Sequence, residues 1–420
     1  LTVPVTGIPI SLTRTYDTLT SSTSDDFGYG WRMEFRDTDL RTGAGKPSEE
    51  QQMLGKQNPF KEGTKVYITL PGGKREAFTF RPKMVERLEG QSLGVFAKYF
   101  YRPEFVADKG GTSTLTVESN FIRKDNNSSE YYGFQGNPYN PADPLFGSKY
   151  ILTTKEGVKY EIDALTGDLL TVTDTNGNKL TYTDGAITSS TGQKITFERD
   201  GLGRITTVKD PEGTLIKYDY DTNGDLIAVT DREKNVTRME YINDNKRKHY
   251  LNKIIDPLGR TGLKNEYDEV TGRLKEIIDV NGKKVEMTYD TNASKQTVKD
   301  ARGYSTTYVY DSRGNILTEI DAKAGVITRT YDDDNNVTSE TDADGVTTTY
   351  TYDNKRNLLT IEDENRNITR MTYDKNGRAT TIVSPTGLST SAKYDGNGNL
   401  IESVDTDGLK TTYKYNDKGQ

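Results

Sequence analysis

Apolar and polar residues alternate along most of this chain in short bursts, each broken by Gly, Asn, Asp or Pro. A period of two is the signature of a strand with one covered face. Val346-Thr347-Thr348-Thr349-Tyr350-Thr351-Tyr352 is representative, with Tyr350 and Tyr352 on one face and Thr mostly on the other. Asp353-Asn354-Lys355-Arg356-Asn357 then reads as a turn, in which the Asp accepts from backbone N–H groups ahead of it and Gly or Asn supplies a positive φ. Leu358–Glu362 reads as the return strand and Asp363-Glu364-Asn365-Arg366 as a second turn. The return strand does not alternate cleanly: Leu359 and Ile361 mark one face and Leu358 the other. That mixture predicts a wall with two half-wet faces rather than a sandwich around one dry core.

This two-strand, two-turn unit recurs. Tyr289-Asp290, Tyr310-Asp311, Tyr331-Asp332, Tyr352-Asp353, Tyr373-Asp374 and Tyr394-Asp395 each stand 21 residues after the one before, and Tyr415-Asn416 closes the series. Asp279, Asp300, Asp321, Asp342, Asp363, Ser384 and Asp405 mark the second turn at the same period. A fixed period in this range is the mark of a repeat architecture. Tyr at one place in every copy predicts ladders of stacked rings between neighbouring strands, each ring burying on the order of 150–250 Å². Copies begin near Tyr150 and are uneven at first. Tyr241 to Tyr267 spans 26 residues, and the five extra fall in or near Asn243–His249, which is best placed as a longer turn.

Upstream the pattern is irregular. Val3, Val5, Ile8, Ile10, Leu12 and Thr13–Asp17 read as short strands, and Phe27-Gly28-Tyr29-Gly30-Trp31 as a tight corner in which rings lie on nearby backbone. Between Arg41 and Gly63 the one helical signal is Ser48 with Gln51, a capping pair for a short helix through Leu54, against the alternative of a loop. Strands are expected at Lys65–Leu70 and Glu76–Phe80 around a Pro71-Gly72-Gly73 turn, and at Gly94–Tyr101 and Ser113–Val117. Residues 123–149, rich in Asn, Pro, Gly and Ser, read as a long loop. The expected division is an N-terminal β segment at 1–40, an irregular β region with long loops at 41–149, and the repeat array at 150–420.

Composition sharpens this picture. The chain has 420 residues, 32% of them apolar, and a mean hydropathy of −0.79. Disorder would explain such hydrophilicity, but 27 Tyr and the alternating Thr runs favour strands. A net charge of −7 argues against a nucleic-acid binder, which needs a basic footprint. No apolar run approaches the roughly 20 residues of a membrane-spanning helix. The absence of Cys removes disulfides and thiolate metal sites.

Candidate chemistry is sparse. His249 is the single His and lies in a basic insertion, so its expected role is structural or solvent-facing. Asp174-Thr175-Asn176-Gly177-Asn178 resembles the start of a calcium loop, but Gly185 stands where a bidentate Glu belongs. The acids at 342, 344, 405 and 407 are expected to form turns. Lys246-Arg247-Lys248 reads as a solvated loop tip and Trp31 as packing. No carboxylate pair stands out as a glycosidase pair. The expected set of catalytic, cofactor-binding and metal-binding residues is therefore empty, and the protein is expected not to be an enzyme.

The pattern Tyr-Asp-x-x-Gly-x-Leu followed by Asp-x-x-Gly-x-x-Thr resembles the YD repeat of the Rhs (rearrangement hot spot) family. Gly7-Ile8-Pro9-Ile10-Ser11-Leu12-Thr13-Arg14-Thr15-Tyr16 with Phe27–Trp31 resembles the segment that leads into such repeats. The resemblance implies an all-β fold, a long spiralling ribbon of antiparallel hairpins forming part of a hollow shell or barrel. It also implies a structural role in a large secreted or surface bacterial protein that encloses a C-terminal toxin or effector of the same polypeptide. Relatives in toxins cleave themselves at two closely spaced Asp-Pro-x-Gly segments. Here Asp210-Pro211-Glu212-Gly213 and Asp256-Pro257-Leu258-Gly259 match the pattern but lie far apart at ordinary turn positions, so they are expected to be turns. The sequence stops inside a turn at Asn416–Gln420, as a piece of a longer polypeptide would. Alternative readings are an extracellular adhesin or carbohydrate-binding repeat protein that uses Tyr on surface glycans, a self-associating tube or fibre subunit, and a propeller built from pairs of repeats. A hydrolase is the remaining alternative.

Overall fold

The structure, a computed structural model, describes the chain except at residues 34–37, 46, 54, 71–74, 86, 89–90, 93–99, 109–110, 119–120 and 125–128. It is all-β, as the pattern predicts. Thirty-one strands make one antiparallel sheet. Arg41–Thr42, Lys65–Thr69, Arg75–Phe80, Phe105–Ala107, Thr114–Val117 and Lys149–Thr153 pair in that order. From Lys149–Thr153 onward every strand pairs with the next in sequence, ending at Lys410–Thr412. The ribbon is thus a chain of hairpins whose pairing is local throughout.

Most of the irregular elements fall where the pattern places them. Glu49–Met53 is a short helix held by a capping box, with Gln51 N–H donating to Ser48 Oγ (3.2 Å) and Ser48 N–H to Gln51 Oε1 (2.9 Å). The Pro71-Gly72-Gly73 turn, most of the expected Gly94–Tyr101 strand and Leu54 lie outside the described residues. The expected loop at 123–149 holds more order than its composition suggests: Arg123–Lys124 pairs with Tyr131–Tyr132, and Asp143 caps the 3-10 turn Pro144–Phe146.

Each YD turn is one device repeated. In the Asp353 copy, Oδ1 accepts from the N–H groups of Lys355 and Asn357 (both 2.8 Å) and Oδ2 from the Asn357 side chain (2.8 Å). Arg356 takes the positive φ of 63° that its sister turns give to Gly314, Gly377 and Gly398. The turn closes on a bulge: Tyr352 pairs with Leu358, but Tyr350 pairs with Ile361, one residue out of step. The bulge explains why the return strand fails to alternate. Leu358 and Ile361 lie on the tyrosine face together, and Leu359 is the extra residue.

The tyrosines act differently from the stacked ladder the sequence suggests. From Asp268 onward no two rings pair, and the hydroxyls bind backbone instead. Tyr331 donates to Ile316 O, Tyr352 to Val337 O, Tyr373 to Leu358 O, Tyr394 to Ala379 O and Tyr415 to Leu400 O, at 2.8–3.0 Å and always 15 residues back. Each acceptor opens the previous return strand, at the bulge. The turn after Asp290 has no bulge, and there Tyr310 reaches the Gln296 side chain instead.

Burial divides the ribbon in two. Buried apolar side chains run from Ile10 to Tyr267 and stop there among the described residues. Up to that point the tyrosine face is dry, covered by the first forty residues, with Phe27 on Tyr218 and Trp31 and Tyr16 against Tyr241. From 268 onward both faces are half-exposed, as a thin wet wall requires. The opposite face carries hydroxyl pairs such as Thr351 with Thr360 (2.6 Å) and Thr372 with Thr380 (2.9 Å).

Two predictions follow the repeat geometry. Tyr352→Phe keeps the ring and removes the hydroxyl bond, so it should cost about 1 kcal/mol in urea unfolding. Asp311, Asp363 and Asp395 are among the turn carboxylates held below their ordinary range, each first by the Asn amide four residues on, and Asp311 is lowered to about 2. A depressed folded value stabilises above the unfolded value of about 3.9, and that stabilisation is lost as pH falls toward the folded one. The urea midpoint should therefore fall steadily from about pH 4 to pH 2.

Candidate functional site: a seam between coils and a buried histidine

The ribbon curls until turns on one rim meet turns on the other. Asn176 and Asn399 exchange amide hydrogen bonds (3.1 and 2.9 Å), Asn178 Nδ2 donates to Lys418 O (3.1 Å), and Lys155 Nζ donates to Asn357 Oδ1 (3.0 Å). The turn bearing Asn176 and the turn bearing Asn399 are separated by the strands from Lys179–Thr183 to Ser389–Tyr394, 21 in number. At about 4.8 Å per strand the loop is roughly 100 Å around. That makes it about 30 Å across, or nearer 40 Å once strands tilt by about 40°. Beyond the last strand, Gln420 Nε2 donates to Thr6 Oγ1 in the N-terminal segment (3.0 Å).

Glycine permits the close approaches. At Gly28 (φ +83°) a Cβ would stand 2.5 Å from Gly224 O, so the corner between Phe27 and Tyr29 can lie on the Asp221–Asp225 turn only without a side chain. Arg199 Nη1 and Asp26 Oδ1 pair beside it at 2.6 Å.

The insertion at 243–249 is a longer turn, as its length predicts. Asp244 organises the tip, accepting from Lys246 and Arg247 N–H. Lys246 and Lys248 are exposed. His249 turns inward instead and is structural. Its Nδ1 lies 2.8 Å from Asp225 Oδ1, its ring stacks on Tyr29 at 3.8 Å, and its carbonyl accepts from Tyr16. His249 and Asp225 are 3% and 0% exposed. Asn243 Nδ2 satisfies the second Asp225 oxygen (2.8 Å), so the buried carboxylate has a donor on each side. Trp31 lies in the same cluster, its Nε1 donating to Tyr241 (2.7 Å).

Sequence reasoning passed over Asp225, although it carries a signal. The fifth residue of the turn is Arg204, Asn315, Asn336, Asn357, Arg378 or Asn399 in sister copies, and its side chain donates to the turn Asp. At 225 that donor is replaced by an acid, which needs a donor of its own. The insertion two strands later supplies it.

The remaining candidates are turns. Asp210 Oδ1 accepts from Glu212 and Thr214 N–H, and Asp256 Oδ1 from Leu258 and Arg260 N–H, so both Asp-Pro-x-Gly segments are ordinary copies of the device. The Asp174 carboxylate is taken up by Asn176 and Asn178, and Asp342 and Asp405 by their own turns. Among the described residues no three His, Asp or Glu side chains converge as a metal would require. Among the described residues no helix is long and apolar enough to cross a membrane.

Residues 245–417 match a family model described as Teneurin YD-shell. Solved structures similar to the chain include the TcdB2-TccC3-TEV crystal structure, at 13% identity and a TM-score of 0.45 over 84% of this chain and 23% of that one. The Photorhabdus luminescens Tc holotoxin pore matches at 12% identity and a TM-score of 0.36, over 86% and 25%. A porin-like protein from Bacteroides uniformis matches at 14% identity and a TM-score of 0.18, over 50% and 87%. The chain spans about a quarter of the length of the two Tc chains. No curated protein matches it significantly. The matched stretch, residues 245–417, lies within the repeat array.

Removing His249 leaves a buried carboxylate without its main partner. His249→Ala should cost about 3–5 kcal/mol in urea unfolding and open the 243–249 turn to trypsin. Lys246→Ala, at the exposed tip, should stay within about 0.5 kcal/mol.

Proposed function

We propose that this YD-repeat ribbon is a non-enzymatic wall segment of a larger secreted or surface protein. Its tyrosine face would line a space that holds a further polypeptide, an effector of the same chain. The observation that carries this reading is the change at residue 267. Before it, the tyrosine face is buried under the chain's own N-terminal segment; after it, the same face is half-exposed. Buried side chains from strands as distant as Lys65–Thr69 and Tyr250–Ile255 belong to one cluster. Such convergence favours the concave side of a curled sheet, since a convex side spreads its residues apart.

Size constrains the occupant. A coil about 30–40 Å across leaves about 20–30 Å clear after about 5 Å of side chain on each side. A folded 100-residue domain, with a radius of gyration near 13 Å, is about as wide as that space or wider. Extended or partly folded polypeptide fits better. In this reading 1–40 is the segment that enters and plugs the coil, 41–149 the irregular β region, and 150–420 the wall proper. No residue of the chain serves catalysis, a cofactor or a metal.

Electron microscopy of the chain extended by its natural downstream sequence tests this. A hollow body with the downstream segment protected from protease until the wall unfolds is expected. A solid body, or a downstream segment cleaved at the rate of a free chain, overturns it.

A further inference from the structure

We propose that Lys155 and Asn357 become joined by an isopeptide bond that rivets one coil of the wall to the next. The two residues belong to turns 202 positions apart and meet across the seam, with Lys155 Nζ 3.0 Å from Asn357 Oδ1. Asn357 is 4% exposed, so its carboxamide is fixed and largely shielded from water. Its Nδ2 donates to Asp353 Oδ2 at 2.8 Å. The amine therefore stands on the carbonyl side of the amide, and a carboxylate on the side of the nitrogen that would leave.

The gap that admits the lysine is built into the neighbouring turn. Gly377 (φ +77°) faces it, and a Cβ there would stand 2.9 Å from Asn357 Oδ1 and 3.1 Å from Lys155 Cδ. Other seam contacts lack the combination. Asn176 and Asn399 face each other as two amides, and Asn178 donates to the Lys418 backbone carbonyl rather than meeting an amine.

The step is an aminolysis. The unprotonated Lys155 Nζ attacks Asn357 Cγ and forms the new N–C bond. The attacking nitrogen releases one proton and Nδ2, held by the Asp353 carboxylate, takes one up; the Cγ–Nδ2 bond breaks and ammonia leaves. One amine and one primary amide become one secondary amide and ammonia, with no oxidant or reductant. Holding amine and amide in contact replaces a bimolecular encounter, an advantage of about 10⁵ M or more in effective concentration for well-oriented groups. The attacking amine must be neutral, so the bond should form faster as pH rises.

Intact-mass spectrometry of the purified chain held at about pH 9 reads the bond directly. A loss of one ammonia is expected, together with a branched tryptic peptide joining the segments around 155 and 357. Lys155→Arg keeps the charge at the seam and should hold the full mass, as should the unmodified chain held in urea. Asp353→Asn should slow the loss by at least about 100-fold. A full mass after prolonged incubation overturns the proposal. So does an ammonia loss that persists in Lys155→Arg, which would mark a succinimide at Asn357 instead.

Discussion

One carboxylate per repeat sets the geometry of everything above it. In the regular copies the Asp after the tyrosine spends one oxygen on two backbone N–H groups and the other on the side chain four residues on, so the turn keeps one length and one bulge. Because side chains alternate with period two, a turn one residue longer or shorter would send the following strand's apolar residues to the wrong face. The fixed turn keeps tyrosine on one face in every copy. The tyrosine hydroxyl then binds the carbonyl that the bulge leaves open in the previous copy. Asp and Tyr are coupled through the bulge: where the bulge is missing, at Asp290, the next tyrosine loses its usual acceptor.

Two kinds of cohesion meet in this chain. Along the ribbon every pairing is between neighbours, so hairpins can be added or lost without disturbing distant ones, as in other repeat proteins. Across the coil the contacts are few and long in sequence: four polar hydrogen bonds at the seam and the largely aromatic contacts of the N-terminal segment. The first kind sets the strand-by-strand order; the second sets the diameter. A seam made of hydrogen bonds on half-exposed turns is weak bond for bond, and the His249–Asp225 pair with its aromatic neighbours is what fixes the lower coil firmly.

The repeat was readable because its period, its tyrosines and its turn residues are all local. The capping box at Ser48 and Gln51, the turn status of both Asp-Pro-x-Gly segments and the lengthened turn at 243–249 were readable for the same reason. What could not be read needed partners far away in sequence. His249 looked like part of a basic loop because its partner Asp225 stands outside that loop and Tyr29 some 220 residues before it. The stacked tyrosine ladder was the wrong inference from the right residues, since composition says nothing of the bulge that offers the hydroxyl an acceptor. The dry lower coil was hidden too: wet composition averaged over 420 residues conceals that the chain covers its own first half.

That self-covering segment has a consequence for how the protein is made. Trp31 meets Tyr241, 210 residues later, and Tyr16 meets His249, 233 residues later. A ribosome adding about 5–20 residues per second needs roughly 10–45 seconds to produce those partners. Until then Phe27 and Trp31 lack the ribbon partners, Tyr218 and Tyr241, that they rest on in the folded chain. The segment is synthesised before those strands and placed after them. A nascent chain that stalls before residue 250 would present this aromatic corner to the cell, translated and with nowhere to go.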